Sequence, residues 1–155
     1  MRSLVIYATT SGNTRQIAEA IAGALSRRGA VSLLPADQAP ATLPQADLVL
    51  IGGPTERHTM TEPMARFLAR LAPASVHLTP AAAFDTRLRW PKFISGSAAD
   101  EIDKRLWAAG ARVVAPPESF MVSAKPELEA GETARAAEWA GAIADRLRVE
   151  ASVAT

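Results

Sequence analysis

The amino-terminal segment constrains the fold of this chain more than any other part of the sequence. Residues 3–8 (SLVIYA) form a short apolar run, which is typical of a strand covered on both faces. After the loop TTSGNT, Ile17, Ile21 and Leu25 recur every four residues, and Gly29 follows this amphipathic stripe. The order strand, loop, helix predicts a parallel sheet, because parallel strands are joined by crossover helices.

The same alternation continues along the chain. Further strands are predicted at residues 30–34 (AVSLL), 47–53 (DLVLIGG), 80–85 (PAAAFD), 112–114 (RVV) and 119–122 (SFMV). Further helices are predicted after the N-cap candidates Thr61 and Ser97 and over about 131–148, with Trp107 and Trp139 as packing residues. This alternation of strands and helices predicts an α/β fold, a three-layer α/β/α sandwich with a five-stranded, mainly parallel sheet.

The composition predicts one globular domain without covalent staples. The chain has 155 residues, 48% of them hydrophobic, and a chain of this size supports its own core. It contains no Cys, which excludes disulfides, thiolate metal sites and a Cys nucleophile. We expect one domain over residues 1–148 and a flexible tail over 149–155, because the last apolar stripe ends before VEASVAT.

Charge and hydropathy limit the classes of partner. The formal net charge of +1 predicts no nucleic-acid partner. The apolar run at the amino terminus is far shorter than a membrane span, and no cleavage site of the A-x-A type follows it. We therefore expect a cytoplasmic protein with no membrane partner.

The loop of residues 9–14 is the first candidate binding site. It lies before a helix N-terminus, where unpaired backbone N–H groups and the helix dipole attract anions. Thr9, Ser11 and Thr14 add hydroxyl donors, Gly12 allows close approach, and neither G-x-x-x-x-G-K-[ST] nor G-x-G-x-x-G is present. The loop predicts a site for a phosphate monoester held by neutral donors; the alternative is a hydroxyl-rich helix cap without a ligand.

The pattern T-x-S-G-x-T resembles the phosphate-binding signature of flavodoxins at every defined position. The resemblance extends to about residue 148 and implies a sheet with strand order 2-1-3-4-5 and the cofactor FMN. The residues that it assigns to the FMN phosphate are Thr9, Thr10, Ser11, Gly12, Asn13 and Thr14.

The end of the third predicted strand resembles the G-x-P-T start of the second flavin loop. The contacts that this resemblance implies are Pro54, Thr55, Glu56, Arg57 and His58. Many flavodoxins have a ring-stacking aromatic residue and a flexible Gly here, and this sequence has neither in the matching place. Arg57, His58 or Met60 is expected to replace the aromatic wall. Alternatively, Arg57 and His58 are solvated loop residues.

The fourth predicted strand leads into the third flavin loop of the family. The resemblance assigns Asp85, Thr86, Arg87 and Trp90 to the cofactor. Trp90 is the candidate for the outer stacking face because an aromatic ring offers a large flat contact, with Phe93 as a substitute. Alternatively, Trp90 covers the core beneath a long loop.

Basic residues near the expected ring distinguish this sequence from acidic electron-transfer flavodoxins. Arg57, Arg87, Arg89 and Lys92 favour added negative charge on the flavin. They predict a less negative reduction potential than that of a typical flavodoxin. They also favour an acidic redox partner.

The function predicted from these loops is FMN-dependent electron transfer to redox partner proteins, without catalytic or metal-binding residues. One alternative is a module that does not bind FMN and serves as a binding or regulatory domain. Another is a small NAD(P)H-quinone type oxidoreductase, but so small a domain shows no nicotinamide site, which favours the electron carrier. A hydrolase is disfavoured because His58 and His77 are the only histidines and G-x-S-x-G is absent. A monomer and a homodimer are both compatible with the sequence.

Overall fold

The helices and strands alternate along the chain in the computed structural model, which describes residues 1–154. The strands are β1 (Arg2–Tyr7), β2 (Ala30–Pro35), β3 (Leu48–Glu56), β4 (Thr59–Met60), β5 (Pro80–Leu88), β6 (Arg112–Val113) and β7 (Glu118–Val122). The helices are α1 (Asn13–Ser26), α2 (Glu62–Arg70), α3 (Lys92–Ser95), α4 (Ala98–Ala108) and α5 (Glu132–Ala154).

The sheet confirms the predicted α/β class and strand order. Parallel pairing gives the order β2, β1, β3, β5, and both β6 and β7 pair with the outer edge of β5. The fifth position is thus shared by two strands, since Pro116 and Pro117 separate β6 from β7 and proline has no N–H to donate to a ladder. β4 folds back antiparallel onto the end of β3.

Two apolar cores lie on the two faces of the sheet. Alternate residues of each central strand point to opposite faces, so that Ile51 packs towards α2 and α4 while Leu50 packs towards α1 and α5. On the second face, Trp139 meets Phe84 and Phe120 edge to face, with ring centroids 6.0 and 5.9 Å away. The predicted packing role of Trp139 is confirmed.

The structure corrects the packing role predicted for Trp107, and it has a helix where the sequence predicts a tail. Trp107 is 62% exposed, because it lies about 100° around α4 from the buried position of Leu106. The predicted flexible tail is helical as far as Ala154, and the guanidinium of Arg112 contacts the carboxylate of Glu150 at 2.5 Å. Thr155, the last residue of the predicted tail, lies outside the described residues. Within residues 1–154, no helix combines the length and hydropathy that crossing a membrane requires.

Gly52 on β3 is required by the core rather than by a ligand. Gly52 pairs with Phe84 on β5, and a Cβ placed at Gly52 would overlap the Phe84 ring. Gly53, the next residue, is less constrained, since a Cβ there would lie 3.6 Å from the Cβ of Ala8. The close approach at Gly52 is therefore to an aromatic side chain of the neighbouring strand.

We predict that Gly52→Ala destabilises the protein by about 1–3 kcal/mol, because the added methyl group overpacks the core. Gly53→Ala is the matched control and should change stability much less. Urea denaturation followed by circular dichroism measures both. Equal unfolding midpoints for the two variants would contradict this assignment of Gly52.

Candidate functional site

Three loops that follow the neighbouring strands β1, β3 and β5 meet at the carboxyl edge of the sheet. Their register sets Tyr7 beside Gly52 and Gly52 beside Phe84. The hydroxyls of Thr14 and Thr86 share a buried hydrogen bond of 2.8 Å, which joins the first loop to the third. The structure therefore brings together the loops that the sequence identifies as candidate binding segments. This is the edge where ligands bind in open parallel sheets.

Gly12 shapes the first loop. It is the N-cap of α1 and has a φ of +91°, a left-handed conformation that favours glycine. The first bond within the helix runs from the N–H of Gln16 to the carbonyl of Gly12, at 3.1 Å. The N–H groups of Asn13, Thr14 and Arg15 precede that bond, so the helix does not use them.

Two exposed hydroxyls of this loop are oriented as donors. The oxygen of Thr9 accepts the N–H of Gly12 at 3.0 Å, and the oxygen of Ser11 accepts the side-chain amide of Asn13 at 3.1 Å. Each hydroxyl therefore keeps its own proton for another acceptor. Together with the free helix N–H groups, they make the loop a set of donors, which suits a ligand that only accepts.

Asn13 and Thr14 serve the loop differently from Thr9 and Ser11. Both are buried, and their side chains already have partners inside the protein. The Asn13 amide also donates to the carbonyl of Pro126 at 2.7 Å, while Thr14 bonds to Thr86. These side chains hold the loop in place, so that only their backbone N–H groups are available to a ligand.

Asp85 is completely buried and ties the second and third loops to α4. Its Oδ2 accepts bonds from the hydroxyls of Thr55 (3.1 Å) and Ser97 (2.7 Å) and from the N–H of Ala99 (3.0 Å). The Thr55 oxygen in turn accepts the N–H of Ala98 at 2.9 Å. The carboxylate thus also faces the N-terminus of α4, which favours negative charge. Asp85 Oδ2 therefore has an internal role, and the expected contact of Asp85 with a cofactor stays a prediction.

The second loop is a two-residue hairpin turn between β3 and β4. Its central residues, Arg57 and His58, have φ values of +49° and +72°, which are typical of a type I′ turn. The sequence did not predict this turn, because Asn-Gly or Asp-Gly usually occupies it. The backbone of His58 bridges to Gly96, where any Cβ would overlap the His58 carbonyl. Gly96 thus allows the second and third loops to touch.

The side chains of the second loop face solvent, apart from its ends. Glu56, Arg57 and His58 are exposed, and Pro54 is half-buried. The exposure agrees with the interpretation of Arg57 and His58 as solvated residues. Met60 is buried in the core and does not replace a ring-stacking aromatic residue.

Arg87 joins the third loop to β7. Its guanidinium donates to the hydroxyl of Ser119 at 2.9 Å and to the carbonyl of Trp90 at 2.7 Å. The side chain of Trp90 is 55% exposed, and that of Phe93 is 88% exposed. Both rings are therefore accessible to a ligand or a partner, and Trp90 does not serve mainly to cover the core.

Two of the four basic residues expected around the ring are paired with carboxylates. The guanidinium of Arg89 contacts Glu129 at 2.9 Å, and the ammonium of Lys92 contacts Asp100 at 3.0 Å. Exposed pairs of this kind leave little net field at a distance. The positive charge at this edge is therefore smaller than the sequence suggests.

Residues 123–129 form a part of the site that the sequence analysis missed. Their ends pair through Ser123 N–H to the Glu127 carbonyl (2.8 Å) and Glu129 N–H to the Met121 carbonyl (3.0 Å). Through Pro126 this segment, which we call the strap, contacts the first loop. The only local signal is a turn composition around Pro126, and it does not indicate which loop the turn touches.

A larger cleft lies at the opposite edge of the sheet. It has a volume of about 870 Å³ and is lined by the last turns of α5 and by Asp47, Leu78 and Arg112, among others. None of the predicted site residues lines it. Its position at the amino ends of the strands separates it from the three loops.

We predict that Asp85→Asn destabilises the protein by about 2–3 kcal/mol, because it weakens three bonds to a charged acceptor. Asp37→Asn, on an exposed turn, is the control and should stay within about 0.5 kcal/mol of the wild type. Unfolding midpoints in urea measure both. A wild-type midpoint for Asp85→Asn would show that the buried carboxylate does not hold the loops.

Comparison with known proteins identifies the family. The sequence profile of the family described as Flavodoxin matches residues 5–146, whereas no curated protein matches the chain. The fold is similar to that of a flavodoxin from the domain Archaea (TM-score 0.76, 22% identity, 96% of this chain and 99% of that one). It is also similar to oxidised Flavodoxin 1 from Bacillus cereus, with a TM-score of 0.78 and 24% identity over 94% of this chain and 98% of that one. Rubredoxin oxygen:oxidoreductase from Desulfovibrio gigas contains a similar fold in a longer chain. The TM-score is 0.76 and the identity 16%, over 96% of this chain and 36% of that one. Since the matching profile covers most of its length, the chain belongs to the flavodoxin family.

Proposed function

We propose that this protein binds FMN at the three loops and transfers electrons between redox partner proteins. The observation that carries the proposal is the donor set of the first loop. Thr9 and Ser11 each accept a bond from the protein and keep a proton to donate, beside the N–H groups that precede the first bond within α1. A phosphate monoester offers several strong acceptor oxygens and is the ligand that such a set fits.

The other two loops supply the surroundings for the ring of the flavin. Pro54, Glu56, Arg57 and His58 are accessible on the second loop, and Trp90 is accessible on the third. Bound FMN supplies one- and two-electron redox chemistry. The residues of the chain bind it, orient it and set its electrostatic environment, with the phosphate at Thr9 to Thr14 and Trp90 as the stacking candidate.

An electron carrier fits the accessible edge better than a self-sufficient enzyme. Electron transfer needs a cofactor near the surface and a partner that docks briefly, and it needs no catalytic acid or base. Trp90 and Phe93 form an exposed apolar rim on the third loop. Arg57 is exposed on the adjacent hairpin and has no carboxylate partner among residues 1–154, which favours an acidic docking partner.

We expect the purified protein to quench FMN fluorescence, and Thr9→Ala/Ser11→Ala to weaken FMN binding at least tenfold. The two lost bonds each join a hydroxyl to a charged acceptor, which is worth about 1.5–3 kcal/mol. Ser32→Ala, on the exposed face of β2, is the control and should leave binding unchanged. Fluorescence titration of the desalted protein measures the dissociation constants.

The outcome also separates the alternative functions. No quenching by the wild-type protein would favour a binding or regulatory module that does not use FMN. Quenching together with rapid NAD(P)H consumption in the presence of a quinone would favour the small oxidoreductase. Quenching without such consumption supports the carrier.

The reduction potential of bound FMN tests the role of the two unpaired cations. Arg87 bonds to neutral oxygens, and neither it nor Arg57 has a carboxylate partner among the described residues. Both favour the added negative charge of reduced flavin. We predict that Arg57→Gln lowers the midpoint potential by on the order of 10–30 mV, the size of a Coulomb effect across ~10 Å in a high dielectric. Arg27→Gln, at the far end of α1, is the control. An unchanged potential in Arg57→Gln would contradict the electrostatic role.

A further inference from the structure

The strap connects the first loop to the third loop from outside the sheet. At its tip, the Pro126 carbonyl accepts the Asn13 amide at 2.7 Å. At its end, the Glu129 carboxylate accepts the Arg89 guanidinium at 2.9 and 3.2 Å. Asn13 lies in the first loop and Arg89 in the third loop. The strap therefore borders the site proposed for FMN.

The base of the strap is firmly anchored on β7 and α5. The buried Glu132 accepts the N–H of Met121 at 2.6 Å and the guanidinium of Arg135 at 2.8 Å. The Arg135 guanidinium holds the pKa of Glu132 below its usual range and also lies over the Phe120 ring, 4.5 Å from its centroid. The strap is therefore anchored at its base by Glu132, at its tip by the bond from Asn13, and at its end by the ion pair with Arg89.

The same amide of Asn13 links the strap to a phosphate donor. Its nitrogen donates to both the Pro126 carbonyl and the Ser11 hydroxyl. Displacing the strap would release Asn13 and with it the orientation of the Ser11 proton. The strap thus supports the donor arrangement of the first loop.

The first loop has no cation of its own. The nearest basic residue on α1 is Arg15, whose guanidinium is exposed and bonds to Glu19 at 2.8 Å. Lys125 stands on the strap directly before Pro126, and its side chain is exposed. Its ammonium has no carboxylate partner among residues 1–154. Of the acidic residues of the strap, Glu129 is paired with Arg89, and Glu127 lies on the other side of Pro126.

We propose that the strap is the outer wall of the phosphate site and that Lys125 is the cation that binds the phosphate of FMN. This inference rests on the proposed function and adds a specificity-determining residue to it. The bond between Pro126 and Asn13 fixes the residue next to Lys125 at the first turn of α1, and Lys125 has a flexible four-carbon stem. Thr9 and Ser11 are neutral donors, whereas an ammonium also brings a full positive charge to the phosphate. It favours FMN over riboflavin, which lacks the phosphate.

The test compares FMN with riboflavin in the wild-type protein and in Lys125→Gln. Lys125→Gln is expected to weaken FMN binding five- to tenfold, to leave riboflavin binding unchanged and to reduce the salt dependence of FMN binding. Lys104→Gln, on the exposed side of α4, is the matched control and should bind both flavins like the wild type. Fluorescence titrations at low and high salt give the dissociation constants, and circular dichroism confirms that each variant is folded.

A second variant tests the strap itself. Glu129→Gln removes the ion pair with Arg89 and should speed the dissociation of FMN in stopped-flow measurements, without loss of helical structure. Wild-type FMN affinity in Lys125→Gln would overturn the role of Lys125 while leaving the proposed function intact. Equal weakening of FMN and riboflavin would also overturn it, because a phosphate contact acts on FMN alone. A wild-type protein that binds neither flavin would overturn the proposed function, and this inference with it.

Discussion

The parallel ladder of β1, β3 and β5 determines where the loops of this protein meet. It sets Tyr7, the last residue of β1, beside Gly52, and Gly52 beside Phe84. Because the three strands are parallel neighbours, the loops that follow them lie at the same edge of the sheet. A ladder this regular requires Gly at position 52, because the aromatic ring of the neighbouring strand occupies the space above it.

The loops are held in place by the polar groups of the protein itself. Asp85 accepts three hydrogen bonds in the interior, Thr14 bonds to Thr86, and Asn13 bonds to the strap. These bonds organise the site before any ligand arrives, which lowers the ordering cost of binding. The donors that these internal bonds leave available to a ligand are the Thr9 and Ser11 hydroxyls and the first N–H groups of α1. A set made up of donors favours an anion.

The number of basic residues at this edge of the sheet does not determine the electrostatic field there, because carboxylates pair with some of them. Arg89 and Lys92 are paired with carboxylates from other elements, whereas Arg57 has no such partner within residues 1–154. Lys125 is distant in sequence from the first loop, yet the next residue, Pro126, bonds to Asn13 of that loop. The field that a bound flavin would experience is set by these pairings.

Local sequence patterns predict most of the helices and strands and one candidate binding loop. The apolar periods predicted the α/β class, the strand order followed from the resemblance to flavodoxins, and the hydroxyl-rich loop before α1 marked the phosphate candidates. Only the tertiary structure decided the roles of Asp85, Asn13 and the strap, the split fifth strand and the turn at Arg57 and His58. The physical reason is the range of the interactions. Periodicity and capping act within a few residues, whereas the bond from Thr14 to Thr86 spans 72 residues and that from Asn13 to Pro126 spans 113. Such partners are chosen by the packing of whole elements, which no local pattern encodes.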